Sequence, residues 1–188
     1  MDYEKIKEIL RGRLTEKRYI HSLCVADEAK RLALKYGENT EKAYLAGLLH
    51  DITKTTPREE QLLFFSQFGI MLDDITKNSE KLWHAVSGAG YIENILKITD
   101  SQILSAVRYH TTAKADMTKF EKILYLADFT SADRDYSDVD VMRKKVDKSV
   151  DEAMEYALSY TINELVEKHC QIHPDTFQAY NDIMKRGK

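Results

Sequence analysis

The pair His50-Asp51 constrains this chain more than any other feature. It ends an almost wholly apolar run, Ala43-Tyr44-Leu45-Ala46-Gly47-Leu48-Leu49. A run of that kind belongs in an interior, and a carboxylate beside an imidazole at its inner end is costly to bury unless partners meet it. The chain holds such partners: His21 upstream, and His84, His110 and Asp128 downstream. Asp128 closes a second apolar approach, Ile123-Leu124-Tyr125-Leu126-Ala127. Taken singly, each of these histidines reads as an ordinary hydrogen-bonded core residue; the set of six points further. Neutral imidazoles with carboxylates are the donors that iron, manganese or zinc takes. One ion cannot use six ligands and keep a position open for water, whereas two adjacent ions sharing a carboxylate can. Paired metals suit phosphoryl hydrolysis, because they activate a water and stabilise the leaving oxygen together.

The punctuation of the chain is helical. Only two prolines and seven glycines occur in 188 residues, and no run alternates with a strand period. Tyr3 to about Leu14 reads as an amphipathic helix, and a second runs from about Lys17 to Lys35, stopped by Gly37. Asn39-Thr40 caps a third that ends near His50-Asp51. Three capping boxes open further helices: Thr56-Pro57-Arg58-Glu59, with proline at the first helical position; Thr99-Asp100-Ser101-Gln102, leading to His110; and Thr118-Lys119-Phe120-Glu121, leading to Asp128. Ser79 to Leu96 carries His84. One long helix is expected from about Asp138 to Lys168, with Val141, Val146, Val150, Met154, Ala157, Leu158, Ile162 and Leu165 as its packing face, and Pro174 starts the last. The fold class is therefore all-α. His21, Val25, Glu28 and Leu32 share one helix face, so His21 turns inward. His169 and His173 have the spacing of a helical metal pair, but Pro174 breaks the helix between them.

Composition excludes several functions. A net charge of −3 gives no basic excess for a nucleic-acid partner. No stretch approaches the roughly 20 apolar residues of a membrane span, and Met1-Asp2-Tyr3-Glu4-Lys5 has no apolar signal core. Cys24 and Cys170 form no CxxC motif, so both read as free thiols in a reducing cytoplasm. Apolar positions left exposed on the long helix would permit a homodimer.

The neighbours of the six residues add phosphate chemistry. Arg18 lies one helical turn before His21, and Lys54 one turn after His50. Thr111-Thr112 directly follow His110 and offer hydroxyls and backbone N–H groups to phosphate oxygens. Arg134 follows Asp128 in a polar turn, and a guanidinium suits bidentate phosphate contacts. Trp83 beside His84 reads as core or pocket wall.

The pattern His21, His50-Asp51, Asp128 resembles the HD superfamily of metal-dependent phosphohydrolases. Arg18-Tyr19-Ile20-His21, His50-Asp51-Ile52-Thr53-Lys54, Leu82-Trp83-His84-Ala85, Arg108-Tyr109-His110-Thr111-Thr112, Leu126-Ala127-Asp128 with Arg134-Asp135, and Ile172-His173-Pro174-Asp175-Thr176 resemble its bacterial YqeK-type branch. The resemblance implies a single helical HD-type domain over residues 1–188, with the metal-site region at about 18–135 and C-terminal helices at about 138–186 packed on it. It also implies symmetrical hydrolysis of dinucleoside tetraphosphates, with diadenosine tetraphosphate cut into two ADP at a di-iron centre. On that pattern, His21, His50, Asp51 and Asp128 hold one ion, and Asp51, His84 and His110 the second. Asp51, Lys54 and Arg134 are the expected catalytic residues; Arg18, Lys54, His84, Thr111, Thr112 and Arg134 are the expected substrate-binding ones. Manganese or another transition metal is the alternative to iron. Two positions depart from the family pattern: Ala113 stands where glycine is expected, and Ser131 where glutamate is. Another nucleotide substrate for the same chemistry, such as a cyclic dinucleotide or a nucleoside phosphate, is the nearest alternative function. A non-catalytic nucleotide-binding helical module is the more distant one.

Overall fold

A computed structural model of the protein describes residues 2–186, and among these there are eleven helices and no strand. The helices are α1 (Tyr3–Arg13), α2 (Glu16–Tyr36), α3 (Thr40–Leu49), α4 (Arg58–Gln67), α5 (Asp74–Asn78), α6 (Glu80–Asn94), α7 (Ser101–Tyr109), α8 (Lys119–Thr130), α9 (Val139–Lys148), α10 (Val150–Glu167) and α11 (Pro174–Arg186). None is long and apolar enough to cross a membrane. Helices α2, α3, α7 and α8 form the centre, α6 packs on α7, and α10 packs on α8, α9 and α11. Their apolar faces build one core around Leu10, Leu32, Leu48, Leu49, Ile123, Leu126 and Met142. A satellite cluster of Phe65, Trp83 and Val86 lies apart from it, with the Trp83 indole N–H donating to the Thr76 carbonyl at 2.8 Å.

Most of the predicted starts and stops are present. Gly37 ends α2 in the left-handed conformation at φ 73°, and Asn39 caps α3. The Thr118/Glu121 capping box at α8 is fully formed. Four expectations are corrected. Thr56 does not cap α4: its hydroxyl accepts from Arg13 at 3.0 Å, and no side chain caps that helix. The α7 cap is Asp100, which accepts from the Gln102 and Ile103 amides. The single helix expected over 138–168 is two, broken at Ser149, whose extended backbone lets its hydroxyl accept from the Glu152 amide and start α10. Val141, expected to pack, is 43% exposed. The five-residue α5 was not expected at all.

The closest approach in the centre is between α3 and α2 at Gly47. A Cβ placed there would lie 2.5 Å from the Ala26 Cα and 2.8 Å from its amide nitrogen. Backbone cannot yield as a side-chain tip can, so Gly47→Ala forces the two helices apart. Overpacking of this kind costs about 1–3 kcal/mol. Calorimetry should show the unfolding midpoint lowered by several degrees, and an unchanged midpoint would mean that the approach is softer than the geometry implies.

Candidate metal centre

Five segments deliver the six residues. His21 projects from α2 and His84 from α6; His50 and His110 terminate α3 and α7; Asp128 sits in the last turn of α8. Beyond α3 the chain continues in tight turns, with Ile52 N donating to Leu49 O and Lys54 N to Asp51 O. These turns hold Asp51 at the inner end of the apolar run and bring Lys54 back over it. All four histidines and Asp51 are buried. Their ligating atoms form three overlapping groups, each within 4.8 Å: His21, His50 and Asp51; His50, His110 and Asp128; Asp51, His84 and His110.

Hydrogen bonds on the far side of three of the four rings set their direction. The Nδ1 atoms of His50 and His110 lie 2.7 Å from the carbonyls of Gly47 and Val107, and His21 Nδ1 lies 2.7 Å from Asp133 Oδ2. A carbonyl can only accept, so Nδ1 of His50 and His110 carries the proton and Nε2 presents its lone pair to the cluster. His50 Nε2 is buried with no hydrogen-bond partner. His21 Nε2 lies 2.9 Å from Asp128 Oδ1, yet outside hydrogen-bonding geometry. Atoms that converge without bonding one another fit a cation between them, and the nitrogen and carboxylate donors suit a transition metal.

Asp51 joins the two halves. Its Oδ1 lies 3.1 Å from His84 Nε2 and 3.6 Å from His110 Nε2, while its Oδ2 lies 3.5 Å from His50 Nε2 and 3.0 Å from Arg18 Nη1. Burial opposes its charge, but His50, His110 and His84 overcome that and hold its pKa well below the ordinary carboxylate value. Asp128 is likewise held low, by His21 and Arg134 against burial. Arg134 donates to the Asp128 side chain and, at 2.7 Å, to its carbonyl. Lys54 Nζ lies 3.1 Å from His84 Nε2, and burial, with Arg18 and Arg134 nearby, lowers its pKa. Arg18, Lys54 and Arg134 therefore all reach the cluster.

The remaining predicted positions divide. Thr111 Oγ1 is buried without a partner. Thr112 is committed elsewhere: its hydroxyl donates to the Ala113 carbonyl at 2.9 Å, and its own carbonyl accepts from Thr176 at 2.8 Å. Its part is to hold the loop. Ala113, where glycine was expected, is buried and left-handed at φ 55°, a conformation in which alanine is strained. Ser131, where glutamate was expected, donates to Asp133 at 2.7 Å and so supports the partner of His21. His173 lies away from the metal cluster, against Thr76 and Asp73.

Two side-chain sets went unread in the sequence. Asp133 orients His21 from a polar turn with no periodicity to mark it. The Thr53 hydroxyl donates to the His84 carbonyl at 2.9 Å and contacts Ser87, which donates to Gln61, fixing the α6 backbone behind His84. Beside the cluster, a cleft of about 220 Å³ is lined by Lys17, Arg18, His21 and Arg134. A neighbouring cavity of about 310 Å³ is lined by Phe129, Tyr136 and Tyr160, and shares Arg134 and Tyr136 with the first.

Burial lowers the pKa of His50 and of His84 to about 4, while Asp128 raises that of His21 against burial. In the unfolded chain each histidine titrates near 6.5. Between pH 6.5 and 4 the unfolded chain binds the protons that folded His50 and His84 refuse, so acidification favours unfolding there. His21 opposes them, one group against two. The thermal midpoint of metal-free protein should fall as pH drops from 6.5 toward 4; a midpoint that rises on acidification would contradict the buried neutral imidazoles.

An all-helical protein whose buried histidines and aspartates converge from five segments is a metal-centred one. The chain belongs to the HD-domain family, whose model matches residues 18–133. It is 34% identical to a Bacillus subtilis protein named bis(5'-nucleosyl)-tetraphosphatase, symmetrical, over 96% of this chain and 97% of that one. A Halalkalibacterium halodurans protein of the same name is 32% identical over the whole of both chains. The crystal structure of a Clostridium acetobutylicum protein, described as a predicted HD superfamily hydrolase involved in NAD metabolism, superposes with a TM-score of 0.95. It is 36% identical in sequence and covers 99% of this chain and 98% of that one.

Proposed function

We propose that this protein is a metal-dependent phosphohydrolase that adds water across the central phosphoanhydride of dinucleoside tetraphosphates, converting diadenosine tetraphosphate into two ADP. The observation that carries the reading is Asp51, with one oxygen turned to His84 and His110 and the other to His50. A carboxylate so placed could serve two ions at once. The names of full-length relatives supply the substrate.

In this reading His21, His50, Asp51 and Asp128 would hold one ion, and Asp51, His84 and His110 the other, with iron the first choice and manganese the second. When bound, such ions polarise phosphoryl oxygens and lower the pKa of a water. The protein's own groups do the rest. Arg18, Lys54 and Arg134 neutralise the polyphosphate, whose negative charge rises as the leaving ADP departs. The Thr111 hydroxyl donates to a phosphate oxygen. Asp133 keeps the His21 ring aligned. The polar cleft takes phosphates, and the aromatic cavity beside it gives a base a surface on which to stack. Helices α9 to α11 complete one HD-type unit with the rest of the chain. Free Cys24 and Cys170 suit a cytoplasmic setting.

Product analysis tests this. Iron-loaded protein is incubated with diadenosine tetraphosphate and the nucleotides are resolved by anion exchange. ADP alone is expected. ATP with AMP would move the point of cleavage, and no turnover by metal-loaded protein would withdraw the substrate.

A further inference from the structure

The loop after α8 carries both Asp133, which orients His21, and Arg134, which pairs with Asp128. Thr130 and Ser131 are buried, but Ala132 and Asp133 beyond them are exposed. The polar cleft lies on one side, lined by Asp133, Arg134 and Asp135, and a cavity of about 510 Å³, lined by Ala132, Arg143 and Asp147, lies on the other. Helix α8 also ends here, where its last carbonyls have no partner within the helix.

One side chain meets these needs together. From α9, beyond the stretch that matches the family model, Arg143 Nε donates to the Thr130 carbonyl at 3.2 Å. Its Nη2 donates to the Ser131 carbonyl at 3.0 Å and to the Arg134 carbonyl at 3.1 Å. Asp140, one turn earlier on α9, accepts from Nη1 at 3.3 Å and steadies the group. We propose that Arg143 is the positioning residue for the 130–134 loop, tying its two ends to one planar group so that Asp133 and Arg134 arrive together at the metal cluster. Arg143 touches neither substrate nor metal ligand; it acts through the backbone. A lysine carries the same charge, but its three donors radiate from one nitrogen, so it cannot reproduce the spacing of Nε and Nη2 across the Thr130, Ser131 and Arg134 carbonyls. The catalytic half of the inference rests on the reading of Arg134 as a phosphate contact; the structural half does not.

Two measurements test it. The first uses metal-free full-length protein and needs no substrate. Hydrogen exchange at the Ser131 and Arg134 amides, bonded to Ala127 and Ser131 carbonyls, should quicken about tenfold or more in Arg143→Ala, with α2, α3 and α7 unchanged and Arg143→Lys intermediate. No change in the loop, or equal acceleration throughout the chain, would overturn the proposal. The second compares kcat/KM for diadenosine tetraphosphate in Arg143→Ala, Arg134→Ala and the double variant. Arg143→Ala should lose roughly 10- to 100-fold, chiefly in KM, as outer-shell partners do. The double variant should lose less than the product of the two single losses, because without the Arg134 side chain Arg143 still positions Asp133 but no longer Arg134. Losses that multiply would mean that Arg143 acts on its own and would also overturn it. If the unaltered protein leaves diadenosine tetraphosphate intact, the substrate reading fails, and the exchange result alone decides for or against Arg143.

Discussion

Asp51→Ala protein should emerge from purification without its metals and lose at least about 10³-fold in turnover of diadenosine tetraphosphate, equivalent to roughly 4 kcal/mol of barrier. On the proposed assignment Asp51 is the ligand shared by both ions, with one oxygen toward His84 and His110 and the other toward His50. With the carboxylate gone, His84 and His110 face one another, Nε2 to Nε2 at 3.2 Å, with no anion between them. Arg18 and Lys54 then add positive charge to a buried site that has lost half its negative charge, and a cation is repelled where it was attracted. Asp51→Asn separates shape from charge. The amide fits the same space but cannot bridge two cations, so it should retain less metal than the unaltered protein and fail to recover activity. The checks are metal analysis by mass spectrometry beside the kinetic assay. Asp51→Ala protein that kept both metals and near-normal turnover would remove the bridging assignment and the two-ion reading with it.

The candidate ligands were legible in the sequence as a set rather than one by one. His50-Asp51 and Asp128 end apolar runs, and together with the inward-facing histidines they form a set that has to meet, although no one of them is distinctive alone. Helix starts were legible wherever a cap stood alone, as at Asn39 and Thr118. They misled where a distant side chain competed: Thr56 is taken by Arg13, which no local pattern reveals. The break at Ser149 was hidden because Val146 and Val150 keep the helical period across it, and only the extended backbone at Ser149 interrupts the rise. Asp133 and Arg143 were hidden for a similar reason. Both are charged residues on polar segments, where the sequence predicts a solvated surface, and their work depends on pairings across the fold. The departures at Ala113 and Ser131 could be noticed in the sequence, but their meaning needed the backbone angle of one and the hydroxyl partner of the other.

Arg134→Ala carries the second large expected effect, a loss of about 10²- to 10³-fold in kcat/KM with both metals retained. Removing a donor aimed at developing charge costs on this scale. The guanidinium touches the Asp128 carboxylate, and by contact alone its removal would loosen the metal site. The electrostatics point the other way. Arg134 competes with a cation for the same Asp128 oxygen, and without it that oxygen is more available to a metal. What is lost is the positive group that lines both the polar cleft and the aromatic cavity, where on the proposed function a dinucleotide would pass from its phosphates to a base. Arg134→Lys should recover part of kcat/KM through its charge but not all of it, since a point charge cannot grip two oxygens in one plane. Metal analysis beside the kinetics separates the possibilities. Retained metal with a raised KM or lowered kcat places Arg134 on the substrate; loss of metal in Arg134→Ala would mean that its bond to Asp128 builds the metal site, and the phosphate contact would pass to Arg18 and Lys54.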